Sequence, residues 1–210
     1  LNIEPAARLT CAVDTPAQPS TIARLRKATW SSHQRLEKRI DVKSRFGNLA
    51  SYQAHLENLH GFCAALEARV PIDRFGDALP DYQSRRKLAM LARDLQALGR
   101  APDAIAHLPH CPDFPVVESV ADAFGCVYVL EGATLGGRTL LTVVASRVGV
   151  TATHGASFLA SYGDEVEPMW ARFGAAIDAW CHEPVRRAQA EAAAIGTFES
   201  LERWLCRTPA

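Results

Sequence analysis

The 210-residue sequence has no charge excess, since 23 Lys and Arg balance 23 Asp and Glu. That balance argues against a dedicated nucleic-acid binder or a polybasic membrane-surface protein, both of which need a strong cationic field. It also has no apolar run long enough to cross a bilayer. The longest stretch, 116–130, is interrupted by Glu118 and Asp122 and stops at Glu131. The first residues lack the charged start, apolar centre and cleavage pattern of a secretory signal. Six cysteines (Cys11, Cys63, Cys111, Cys126, Cys181, Cys206) are scattered without a CxxC pair, so they read as reduced thiols in the cytoplasm. There is no phosphate-cradling glycine loop, no serine-nucleophile motif and no paired-carboxylate glycosidase pattern. Strand alternation and hairpin signals are missing too.

What is present is helical periodicity. A chain that is 48% hydrophobic and 22% charged fits a globular domain, and its length suits one domain. Residues 1–20, with Pro5, Pro16 and Pro19, read as an extended or mobile arm, leaving 21–210 as the helical domain. Leu25, Thr29, His33, Leu36 and Ile40 recur at 4-4-3-4 spacing, one face of a first helix. Further helices are expected over 49–70, 81–98, 116–148, 157–162, 164–180 and 184–205. The Pro-rich stretch 100–115 is expected to be a loop or a short broken helix. The fold class is all-α, a single-domain bundle with loops short enough for antiparallel neighbours.

Two features exceed ordinary bundle patterning. His33 lies on the apolar seam of the first helix with Glu37 one turn on, so imidazole and carboxylate share a face. A metal-ligating histidine commonly has its other nitrogen held by such a partner. The plain alternative is a half-buried histidine beside a surface glutamate. The second feature is Gly132, Gly136 and Gly137 within an apolar helical run. Each interior glycine costs roughly 1 kcal/mol against alanine, so something must offset the loss. Glycines four apart expose a bare strip of backbone, against which either a neighbouring helix or a flat ligand can press.

In this order and separation, the segments around His33 (Leu25 to Glu37) and Tyr128-Val-Leu-Glu-Gly-Ala-Thr-Leu-Gly-Gly137 resemble those of heme oxygenases, most of all bacterial members associated with bacteriophytochromes. Met169-Trp170-Ala-Arg-Phe173 and Thr197 to Leu205 also look like that branch. The resemblance implies a heme held between the first helix and a glycine-kinked distal helix, with the heme serving as both substrate and cofactor. It makes His33 the iron ligand and Glu37 the partner of its other nitrogen. Gly132, Gly136 and Gly137 become the catalytic distal backbone, Arg26 a heme propionate contact, and Phe198 an aromatic wall of the pocket. The implied reaction uses O2 and an electron donor such as ferredoxin or flavodoxin with its reductase. It yields biliverdin, CO and ferrous iron, with a bacteriophytochrome as a receiver of the biliverdin.

The chain departs from the family at Ala133, where animal members carry aspartate and many phytochrome-linked relatives serine. Alanine holds no water through its side chain, which keeps open a heme carrier or sensor with little turnover. A late-helix basic contact to the propionate falls on Gly174, with Arg172, Arg138 and Arg186 as substitutes. A heme-free bundle, with His33 in the core and the glycines serving helix packing, is the third reading.

Other candidates are weaker. His107, His110 and Cys111 lack a second half for a zinc site. His55 and His60, five apart, point to different helix faces and read as surface or packing residues. His154 and His182 sit near helix ends. Arg85-Arg86-Lys87 reads as a solvated charged face, or as part of a docking site for an acidic electron donor.

Overall fold

The computed structural model describes residues 19–41 and 45–207; nearly all of the arm expected over 1–20 lies outside them. Nine α-helices carry the described chain: α1 (Thr21–Arg39), α2 (Leu49–Arg69), α3 (Tyr82–Arg85), α4 (Leu88–Ala97), α5 (Pro102–Ala106), α6 (Val120–Val148), α7 (Ser157–Ala160), α8 (Val166–Trp180) and α9 (Pro184–Leu205). Among the described residues there is no strand, only isolated bridges at Thr151. The all-α expectation holds.

Local chemistry sets the helix ends. The Ser20 side chain accepts from the Ala23 amide and starts α1, and Pro184 opens α9 where its missing N–H costs nothing. Helix α6 begins at Val120, four residues later than the apolar run suggests. Ser119 and Asp122 form a reciprocal capping box there, and Gly149 closes the helix in the left-handed region.

The single helix expected over 81–98 is two. Arg86 adopts extended backbone, and the Glu67 carboxylate accepts from the amides of Lys87 and Leu88, both at 2.8 Å, capping α4 from outside. The pattern concealed this because the capping carboxylate is twenty residues away.

The core runs through Tyr52, Leu56, Phe62, Leu91, Leu95, Phe124, Phe173 and Ile177. Each such side chain contributes roughly 1.5–3 kcal/mol of burial. Helices α6 and α9 pack most extensively, and a Cβ at Gly125 would strike the Ala190 carbonyl, so this crossing depends on a glycine.

Helix α1 lies against α8 and α9 and barely meets α6. Polar anchors fix it: Ile22 N donates to Asp178 at 3.1 Å, and Arg24 pairs with Glu191 at 2.8 Å. Arg35 and Arg39 reach Glu202 at 3.2 and 2.9 Å. Thus α8 and α9 form a shared floor, with α1 and α6 as walls standing on it.

Candidate functional site

The buried row of α1 is Thr21, Leu25, Thr29, Ser32 and Leu36. His33 follows Ser32, about 100° further round the helix, so it flanks the seam instead of lying in it. Its side chain is 47% exposed, which corrects the seam placement and frees the imidazole for a ligand. Nδ1 faces Glu37 Oε2 at 3.5 Å. A proton on Nδ1 directed at that carboxylate leaves the Nε2 lone pair as the coordinating site. Trp30 lies on one side of the ring at 6.5 Å between centroids, nearly parallel. Phe198 of α9 meets it at 5.8 Å and 79°.

On α6, the glycines divide between the two uses open to them. A Cβ at Gly137 would run into the backbone of Leu159, so this glycine serves helix packing. At Gly136 an added Cβ would meet nothing within 4 Å, and at Gly132 only the Trp170 ring at 3.9 Å. Gly132 and Gly136, four apart, therefore present bare backbone on one face, with Ala133 exposed beside them. Gly137 thus has the contacts of a packing glycine, while Gly132 and Gly136 leave the helix face open.

One turn before Gly132 on that face stands Tyr128, whose hydroxyl lies near Thr29 and Arg26 of α1. Burial pushes its phenol up, and both of these neighbours oppose the rise. This is where α1 and α6 come together. His33 is one turn beyond Thr29, as Gly132 is one turn beyond Tyr128. Each lies about 6 Å along its helix from the point where Tyr128 nears Thr29. Trp170 closes the α8 side, 5.8 Å from Tyr128.

The heme oxygenase family profile matches residues 20–207, nearly the whole chain. The chain belongs to the heme oxygenase family. It is 32% identical over 117 residues to a heme oxygenase of Xanthomonas campestris pv. campestris (strain 8004). That alignment spans 56% of this chain and 66% of the relative, just under two thirds of its length. In fold, the chain is similar to a heme oxygenase of Neisseria meningitidis solved with NO and CO bound. The TM-score is 0.75 at 22% identity, covering 90% of this chain and 91% of that one. It is also similar to a heme oxygenase of Leptospira interrogans, at TM-score 0.71 and 18% identity, covering 90% and 99%.

The residues present suit the group that gives the heme oxygenase family its name. An accessible imidazole whose Nδ1 faces a carboxylate could offer Nε2 to iron, a side-chain-free helix face could admit a flat macrocycle, and Arg26 with Tyr128 could offer a cation and a phenol to carboxylates. Tyr128 and Trp170 belong to the segments that carry the resemblance, but sequence alone gives neither a place at the site; Tyr128 is readable as the residue one turn before Gly132.

Each of the substitutes for a late-helix base lies near another group. Arg138 lies 3.6 Å from Asp164, Arg172 approaches Asp81 and Glu165 at 4.0 Å, and Arg186 stacks over Trp180. Gly174 packs toward Ile22 of α1.

The charged triplet is also corrected. Arg85 and Lys87 are each only 2% exposed, and they surround the Glu131 carboxylate. They form no docking face. His55 and His60 are both buried packing residues. Among the described residues, no group of three or more His, Cys, Asp or Glu is arranged to hold a metal ion.

Proposed function

We propose that this chain opens heme oxidatively to biliverdin, releasing CO and ferrous iron, with O2 and an external electron donor. Two observations carry the reading: an accessible His33 beside Glu37 on α1, and the bare Gly132–Gly136 face on α6, on two helices that approach each other near Thr29 and Tyr128. Bound heme supplies the iron at which oxygen is activated and the macrocycle that is cut.

The protein's own groups do the rest. His33 would hold the heme iron through Nε2, with Glu37, 3.5 Å from Nδ1, placed to accept from the other nitrogen. Arg26 and Tyr128 receive heme carboxylates at the edge where α1 meets α6. Gly132 and Gly136 carry no side chain there, so a flat macrocycle could lie close against the α6 backbone. Ala133 contributes no polar side-chain atom, so polar contacts on this face would have to come from the backbone. Phe198 and Trp170 wall the site against bulk water.

We place the reaction in the cytoplasm, with a ferredoxin or flavodoxin and its reductase as donor and a bacteriophytochrome as receiver. The free cysteines support the cytoplasm, and the family resemblance supports the donor and the receiver.

The test is aerobic turnover of added hemin with a reductant, read by absorption and product chromatography. Loss of the heme band with appearance of biliverdin is expected. Tight binding without bilin under several reductants would instead support the carrier or sensor reading that Ala133 allows.

A further inference from the structure

Directly behind the open glycine face lies a buried ionic knot. Glu131, the residue before Gly132, is 1% exposed. Its carboxylate accepts from Arg85 Nη1 at 2.5 Å and from the Tyr162 hydroxyl at 2.6 Å, with Lys87 Nζ at 3.2 Å. Lys87 also donates to Tyr162 at 2.5 Å, and Arg85 forks onto Asp81 at 2.7 and 2.8 Å. Two cations therefore face two carboxylates. A buried pair of this kind is weak evidence for net stability, so its placement has to be explained otherwise.

The placement is informative. The Glu131 side chain is tied on three sides, and its carbonyl also accepts from Thr134 Oγ1 at 2.7 Å. Six residues on, about 9 Å along the axis, the Gly137 backbone lies against the Leu159 carbonyl. Between these points Gly132, Ala133, Leu135 and Gly136 are exposed or half-exposed. With so few side-chain contacts of its own, this stretch of α6 depends on the restraints at its two ends.

Both restraints use one short segment. Leu159 belongs to α7, and Tyr162 follows it after Ser161. Ser161 has φ 48° and ψ −113°, a strained backbone for a non-glycine residue, and its Oγ is buried without a partner. The α7 segment is itself held by Asp94, which accepts from the amides of Ser157 and Phe158 at 2.7 and 2.8 Å.

We propose that Glu131 and Tyr162 are positioning residues for the distal surface. With Leu159 they form a bracket, anchored on α4, that fixes the Gly132–Gly136 backbone where it faces the heme; this rests on the heme reading above. Neither residue touches substrate. The strain at Ser161 is tolerated because it turns the Tyr162 hydroxyl back onto Glu131.

The bracket is testable without heme. In the full chain, amide hydrogen exchange of 132–137 is expected to be about tenfold faster in Tyr162→Phe and faster still in Glu131→Gln, with α1 unchanged. Tyr162→Phe removes one hydroxyl, so it tests the idea even if Glu131→Gln folds poorly. Unchanged exchange at 132–137, or equal acceleration throughout the chain, overturns the proposal.

A second readout uses hemin-loaded, reduced protein under CO. The wild type is expected to give one narrow C–O stretching band, and Tyr162→Phe a broadened or split one. An identical band in the variant also overturns it. Failure of the wild type to bind hemin would refute the functional reading, while the exchange experiment would still decide whether the bracket exists.

Discussion

Phe198 of α9 stands nearly perpendicular to the His33 imidazole, with 5.8 Å between ring centroids. Four residues further on, Glu202 grips Arg35 and Arg39 of the helix that carries His33. Helix α9 therefore both anchors α1 and sets the ring that faces its histidine. Phe198→Leu keeps most of the apolar volume but removes the flat wall. Hemin titration is expected to show several-fold weaker binding, with a modest stability loss of about 1 kcal/mol.

The glycines make opposite predictions within two adjacent residues. Gly136→Ala adds a methyl group that meets nothing, so helix propensity raises stability by about 1 kcal/mol, or roughly 2–4 °C in Tm. Gly137→Ala collides with the Leu159 backbone and lowers stability. Thermal melts of the heme-free variants check both signs. Gly136→Leu is expected to keep a helical circular dichroism spectrum while blocking bilin formation, because its bulk enters the space over the heme.

Acid sensitivity is predicted from His55. Burial, aided by the positive charge of Arg45, pushes its imidazole from about 6.5 down to about 3, and its Nδ1 has no partner. The Phe46 ring lies edge-on, 5.0 Å away. The unfolded chain binds a proton below about pH 6.5 that the folded chain refuses. Stability from this group is therefore intact above that pH and falls steadily below it. The loss is about 2 kcal/mol at pH 5, from roughly 1.4 kcal/mol per pH unit. Urea melts at pH 7.5 and pH 5 are expected to show that drop in the wild type and a smaller one in His55→Gln. His60, also held down by burial and by His110, leaves a residue of the effect.

Much of this was legible in the residues themselves. The ends of α9 follow from Pro184 and its apolar period, and the start of α1 from Ser20 and Thr21. His33, Glu37 and the glycine run stood out because each breaks an otherwise continuous pattern. The buried network did not, because Arg85-Arg86-Lys87 read alone has no partner. Glu67, Glu131 and Tyr162 reach it from three distant segments. Gly136 and Gly137 are likewise indistinguishable as adjacent letters. Only the position of Leu159 separates an open face from a packed one. His33 was placed one position off because a 4-4-3-4 row through 32 and one through 33 differ by a single step.

The most direct measurement is the iron–histidine stretching band of the hemin-loaded, reduced protein in wild type and His33→Ala, each followed by resonance Raman with and without added imidazole. The band is expected in the wild type, lost in His33→Ala, and restored by imidazole. A band of unchanged frequency and intensity in His33→Ala would contradict the assignment of His33 as the iron ligand.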